Sequence, residues 1–181
     1  MAAPTEPAEL FVKDLERIFR ENHAMVFRAA YRITGNANDA EDVLQTVFLR
    51  MVKRDTGAEP VGNMPSFLHR SAVNAALDLV RSRQNIRHIP LDELEPVLAE
   101  PSYRNPERAH SSGEIRDWLR GALGRLNPRI AEMFALRFFE GKENPELAQL
   151  LNTTPGTVAV TLSRTRDRLE KEYRAYQGGV A

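Results

Sequence analysis

From Thr34 to Arg54 the chain reads T-G-N-A-N-D-A-E-D-V-L-Q-T-V-F-L-R-M-V-K-R. Thr34-Gly35-Asn36 is turn chemistry, and a helix start follows it. Asn38 is placed to cap the free backbone N–H groups, and Glu41, three residues later, completes a capping box. Asp39, Glu41 and Asp42 fall in the first turn and Arg50, Lys53 and Arg54 in the last, so both ends suit the helix dipole. Val43, Val47, Phe48 and Met51 recur at helical spacing and give one face to bury. Asp39, Asp42 and Gln45 share the opposite face. On residues alone this is either a docking element or a well-capped surface helix, because charge clusters are commonly solvated.

Working outward, the 181 residues are 42% hydrophobic and 28% charged, ordinary for one or two soluble globular domains. There is no cysteine, which excludes disulfides and thiolate zinc sites and fits a reducing compartment. No apolar run approaches the roughly 20 residues of a membrane span. The start M-A-A-P-T-E-P has neither the basic nor the apolar region of a signal peptide. A cytoplasmic location without membrane insertion is the expectation. Net charge is zero, but residues 1–84 carry 11 basic and 11 acidic groups, 85–112 carry 3 and 5, and 113–181 carry 11 and 9. Any nucleic-acid surface is therefore local, and a partner must supply much of the grip.

Upstream of the quoted stretch, Phe11, Leu15, Ile18, Met25, Val26, Ala29 and Ile33 keep a helical period over about residues 9–33. His23 lies in that helix with no second ligand at helical spacing, and reads as structural. Downstream, D-T-G-A-E-P-V-G-N-M-P breaks regular structure. A third helix starts near Pro65 and buries Leu68, Ala72, Ala75, Ala76 and Leu79. Arg70, Asn74, Asp78 and Arg81 form one stripe on its other side. Four arginines against one aspartate between Ser66 and His88 make it the most basic stretch of this half. Such a stripe is either a solvated face or a strip for phosphates and splayed bases, with an aromatic as stacking platform.

Pro90, Pro96, Pro101 and Pro106 mark residues 85–112 as a linker. Beyond it, Ile115, Leu119, Ala122, Leu123 and Leu126 define an amphipathic helix that carries Trp118. Asn127-Pro128 restarts the chain, and Ile130, Met133, Phe134 and Phe138 continue the core until Gly141. Asn144-Pro145 opens a short helix with Leu147, Ala148 and Leu151 inward. Asn152-Thr153 turns, and Thr154-Pro155 opens a last helix with Val158, Leu162, Thr165 and Leu169 on its inner face. Two helices joined by so short a turn read as a helix-turn-helix, the second helix being the DNA reader. The fold class is all-α: two small helical domains, 8–84 and 113–174, joined by a flexible linker.

The wording is more specific than the periodicity. R-I-T-G-N-A-N-D-A-E-D-V-L-Q-T-V-F-L-R (32–50) resembles the core-polymerase-binding segment of extracytoplasmic-function (ECF) sigma factors of the sigma-70 family. These are small bacterial promoter-specificity subunits. The resemblance assigns contact with the polymerase clamp to Asp39, Glu41, Asp42, Gln45 and Phe48, with Thr46 standing where the family has an acid. P-S-F-L-H-R-S-A-V-N-A-A-L-D-L-V-R-S-R (65–83) looks like the helix that melts and reads the −10 element. It implies a −10 set of Phe67, Arg70, Asn74, Asp78, Arg81 and Arg83. Phe67 replaces the family's tryptophan and Val73 a basic residue. The loop at 55–64 matches in position one that captures a flipped base.

In the last domain, 126–141 and 146–169 resemble the family's −35-binding region. The implied DNA set is Thr157, Val160, Thr161, Ser163, Arg164 and Arg166. Here Ala159 and Thr161 replace basic residues, Val160 replaces a small polar one, and E-N-P-E stands for the usual S/T-Y-E-E. The reading face is thus unusually apolar and suits thymine methyls better than guanine edges. The resemblance implies a sigma factor that binds core RNA polymerase and promoter DNA, needs no cofactor and is not itself an enzyme. An anti-sigma factor is the family's common regulator. The alternative is a polymerase-independent helix-turn-helix regulator, which would need a dimer interface or ligand pocket. A metal enzyme built on Asp39, Glu41 and Asp42 lacks a partner histidine.

Overall fold

The computed structural model describes residues 7–53, 61–87 and 109–178. Seven helices follow in order: α1 (Pro7–Thr34), α2 (Ala37–Val52), α3 (Met64–Arg87), α4 (Ala109–Arg125), α5 (Pro128–Phe138), α6 (Asn144–Leu150) and α7 (Pro155–Gly178). No strand occurs among the described residues, so the all-α expectation holds. The chain divides into two compact units, Met1–Ala76 and Leu77–Ala181, and the division falls inside α3. The linker at 88–108 and most of the loop at 55–64, namely 55–60, lie outside the described residues. Helix occupies both margins of the expected linker, 85–87 and 109–112.

In the first unit α1 packs along α2. Gly35 makes the reversal between them at φ 69°, and its N–H donates to the Tyr31 carbonyl at 2.8 Å. A β-carbon would strain that left-handed backbone, so glycine is required there. With α1 ending so late, the cap of α2 moves to Asn36 rather than Asn38. Its backbone is extended, at φ −132° and ψ 135°, and its side-chain oxygen accepts from the N–H groups of Asn38 and Asp39 at 2.8 and 3.2 Å. The core is Val26, Ala29, Ala30, Ile33, Ala40, Val43 and Val47, joined by Leu68, Ala72, Val73, Ala75 and Ala76 of α3. Each large aliphatic buried there is worth about 1.5–3 kcal/mol. Val73 and Leu77 are buried, whereas the expected core residue Leu79 is only half-buried.

In the second unit α5, α6 and α7 pack on one another. Asn127 caps α5 by accepting from the Arg129 N–H at 3.0 Å, with Pro128 opening the helix as expected. Gly141, at φ 68°, closes α5 and lets Lys142 N–H reach the Leu136 carbonyl at 3.0 Å. The cap of α6 is Glu143, not Asn144: Glu143 and Glu146 form a reciprocal capping box. Glu146 is held below the usual carboxylate range by the Glu143 backbone N–H, with Lys142 adding to it. Val158, Leu162, Thr165 and Leu169 are the buried face of α7, as the spacing predicts. Four expected core residues of this unit are not fully buried: Leu119 and Ile130 are half-buried, Ile115, within α4, is 43% exposed, and Phe138, the last residue of α5, is 52% exposed.

Candidate nucleic-acid and partner interfaces

The polar side of α2 separates into exposed and buried residues. Glu41, Asp42 and Gln45 are exposed. Asp39 is only 3% exposed and Phe48 only 7%. Phe48 meets Phe19 of α1 edge to face, with ring centroids 4.8 Å apart, and Phe19 stacks in turn on the exposed His23. His23 Nδ1 also lies 3.1 Å from the Phe19 carbonyl, so its role is local. Asp39 and Phe48 thus hold the surface in place and offer little of themselves to a partner.

Sequence reading missed the neighbours that complete this surface. A cleft of about 520 Å³ is lined by Leu15, Glu16, Phe19, Gln45, Phe48, Leu49 and Val52. Leu49 is 56% exposed and Val52 40%. Gln45, Leu49 and Val52 follow each other at four and three residues, which is one stripe of α2. An apolar trough edged by the exposed Glu16 and Gln45 is an interface composition: apolar centre, polar rim. Helical spacing picks out Val43, Val47, Phe48 and Met51 as the face to bury and does not show that Leu49 and Val52 form a second apolar stripe of α2.

The α3 stripe is real as geometry. Asn63 caps the helix, its side-chain oxygen accepting from the Ser66 N–H at 3.0 Å. Phe67, 36% exposed, stands one turn before Arg70. Arg70, Asn74 and Arg81 are half-buried, while Asp78 and Arg83 are exposed. Arg81 donates to Asp78 at 3.0 Å, so that carboxylate orients the guanidinium and offsets part of its charge. Aromatic, guanidinium and amide groups therefore line one edge of a single helix. That is the set a stacked, unpaired strand requires.

The turn between α6 and α7 uses Asn152 at φ 47°, one of the few side chains that tolerates this region. Arg129 of α5 donates to the Leu151 carbonyl and ties the turn to the core. Thr154 caps α7: its hydroxyl oxygen accepts from the Thr157 N–H at 3.1 Å and lies 2.9 Å from the Thr157 hydroxyl. Thr157, Ala159, Val160, Ser163, Arg164 and Arg166 are exposed, and Thr161 is half-buried. Thr157, Val160, Thr161 and Arg164 share a stripe, spaced three, four and seven residues from the first. Further along, Arg164, Asp167, Arg168, Lys171 and Glu172 border a shallow groove of about 470 Å³. Arg168 donates to Glu172 at 2.7 Å and Arg125 of α4 reaches it at 3.5 Å. Arg168 foremost, with Arg125, keeps the Glu172 carboxyl below its ordinary range. Trp118 meets Tyr173 edge to face at 4.9 Å, fixing α4 against this end of α7. The Thr157–Arg164 stripe thus belongs to a braced helix.

No helix among the described residues is long and apolar enough to cross a membrane. Among those residues no group of three or more His, Cys, Asp or Glu side chains is placed to hold a metal ion. Residues 18–86 match the family described as sigma-70 region 2, and residues 116–169 match sigma-70 region 4. The ECF RNA polymerase sigma factor SigE of Mycolicibacterium smegmatis is 34% identical over 161 residues, which are 88% of this chain and 61% of that protein. The chain therefore spans less than two thirds of that relative's length. The RNA polymerase sigma-E factor of Streptomyces avermitilis is 27% identical over 161 residues, 89% of this chain and 86% of the relative. A crystal structure of the Mycobacterium tuberculosis extracytoplasmic function sigma factor SigJ aligns with a TM-score of 0.43 at 21% identity, over 86% of this chain and 52% of that one.

Proposed function

The chain belongs to the ECF branch of the sigma-70 family, and from that premise we propose that it binds core RNA polymerase and directs it to a defined set of promoters. The observation that carries this reading is the pairing, in one chain and in this order, of two modules. One carries an apolar cleft of α1 and α2 and, after it in the chain, the polar α3 stripe; the other is a helix-turn-helix with an open reading face. Residues 8–84 take the polymerase-binding and −10 role, 85–112 span between the two DNA elements, and 113–174 read the −35 element. Glu41, Asp42 and Gln45 meet the polymerase, with Leu49 and Val52 as the apolar centre of that contact. The chemistry belongs to the polymerase, and the chain itself is a specificity subunit that acts in the cytoplasm. An anti-sigma factor is the expected regulator.

Co-purification tests the first step. The chain should elute with core polymerase in gel filtration, and elution apart from it at micromolar concentrations of both contradicts the reading. A polymerase-independent regulator would bind its promoter equally well without core.

The opened −10 strand is handled by Phe67, Arg70, Asn74, Asp78, Arg81 and Arg83. Asn74→Ala should slow open-complex formation on duplex promoters several-fold and leave a pre-melted template much less affected. Permanganate footprinting on both templates reads this out, and equal loss on the two means the helix does not take part in opening.

For the −35 contact, the isolated second domain should bind DNA weakly, because exposed Ala159 and half-buried Thr161 offer no charge. Ala159→Arg adds a phosphate contact, which should raise affinity and steepen the log–log salt dependence by about 0.9. Anisotropy titrations across a salt series check it; an unchanged slope rules it out.

A further inference from the structure

Resting on the −35 role just assigned to α7, the structure carries a more specific statement about which bases are read. In a helix-turn-helix it is the N-terminal part of the second helix that meets base edges in the major groove. On α7 those positions are Thr157, Val160 and Thr161, with Arg164 one turn further. A single exposed valine on a protein surface needs no explanation. Val160 differs because it is 51% exposed at the middle of this stripe, flanked by two threonines rather than by charged groups. The Thr157 hydroxyl lies 2.9 Å from that of the capping Thr154, and the same Thr154 oxygen accepts the Thr157 N–H at 3.1 Å. That hydroxyl is committed to closing the helix, which leaves the γ-methyl as the part of Thr157 not engaged by the cap. Thr161 brings a second methyl beside Val160, from the half-buried side of the stripe. Arg164 is exposed and makes no ion pair among the described residues.

We propose that this chain recognises its −35 element chiefly through thymine 5-methyl groups. They pack on the methyl patch of Thr157, Val160 and Thr161, while Arg164 supplies the single guanine contact at one end. The physical ground is that the major groove presents four distinct patterns. Only thymine offers an apolar group there, whereas guanine is read by a two-pronged donor such as arginine. Three successive base-facing positions of α7 have methyls to offer, and only the fourth has such a donor. The preferred element therefore has adjacent thymines, on either strand, followed one turn of α7 later by a guanine.

The test uses holoenzyme assembled from core polymerase and the full chain. Promoters are first selected by transcription from a template pool randomised over both elements. In the selected promoter each −35 thymine is then replaced, one at a time, by deoxyuridine, which removes only the methyl. At the thymines facing the patch, each replacement should lower initial transcription about fourfold, the worth of burying one methyl-sized group. With Val160→Ser, transcription on the thymine template should fall by a similar factor, and the thymine-to-uridine ratio at one position should drop to one. Selection of a G·C-based element, or deoxyuridine templates as active as thymine ones with the wild-type chain, overturns the inference. So does a Val160→Ser chain that still discriminates fourfold at every thymine. A holoenzyme that transcribes no member of the pool fails at an earlier step: it overturns the sigma reading, and this inference with it.

Discussion

Asp42→Arg should weaken binding to core RNA polymerase about a hundredfold or more, since a like-charge placement at an interface costs several kcal/mol and each 1.4 kcal/mol is a factor of ten. Asp42 is suited to this test because the folded chain asks little of it. It is exposed and makes no ion pair among the described residues. It lies beyond the first turn of α2, where a basic residue would oppose the helix dipole. Helix content and thermal stability should therefore be unchanged while the direct titration shifts. Unchanged affinity would remove Asp42 from the contact.

Asp39→Ala, three residues away, should behave in the opposite way. Asp39 is 3% exposed, and its N–H is capped by Asn36 at the positive end of α2. Removing a buried polar group with its partners left behind costs about 1–3 kcal/mol. Chemical denaturation of the variant should show that loss, with core affinity of the folded protein changed far less than by Asp42→Arg. A variant of full stability that has lost core binding would reverse the assignment and return Asp39 to the contact surface.

This pair shows what the sequence could and could not disclose. The family pattern names Asp39, Glu41, Asp42, Gln45 and Phe48 together, because a pattern records positions, not directions. In the folded chain they differ in burial: Asp39 and Phe48, the latter against Phe19 of α1, are buried, and Glu41, Asp42 and Gln45 are exposed. The end of α1 decides the cap: two asparagines two residues apart are equal candidates until Gly35 ends α1 and leaves Asn36 extended. Along α3, apolar residues occupy almost every position from Ala75 to Val80, so helical period alone cannot choose Leu77 over Leu79. Ile115 and Phe138 obey the period yet lie open, because a period names a face and not what covers it. The last helix was fully legible. Its inner face is three aliphatic residues and Thr165 at helical spacing, and those four are the residues buried.

Exposed apolar side chains are where the sequence says least and the structure most. Phe19, Leu49 and Val52 have no place in the apolar faces read from the sequence and line an open cleft in the structure. On the proposed reading they make the polymerase contact more than a charge contact. Raised salt should weaken core binding by the chain less than a purely electrostatic surface would require.

The most direct test of the whole account is sequencing of the transcripts that core RNA polymerase makes in vitro with and without this chain. A new set of start sites should appear only with the chain. Upstream of these starts, a shared −10 element and a shared −35 element should stand at constant spacing. An unchanged set of transcripts, from a chain that is folded and present in excess over core, would contradict it.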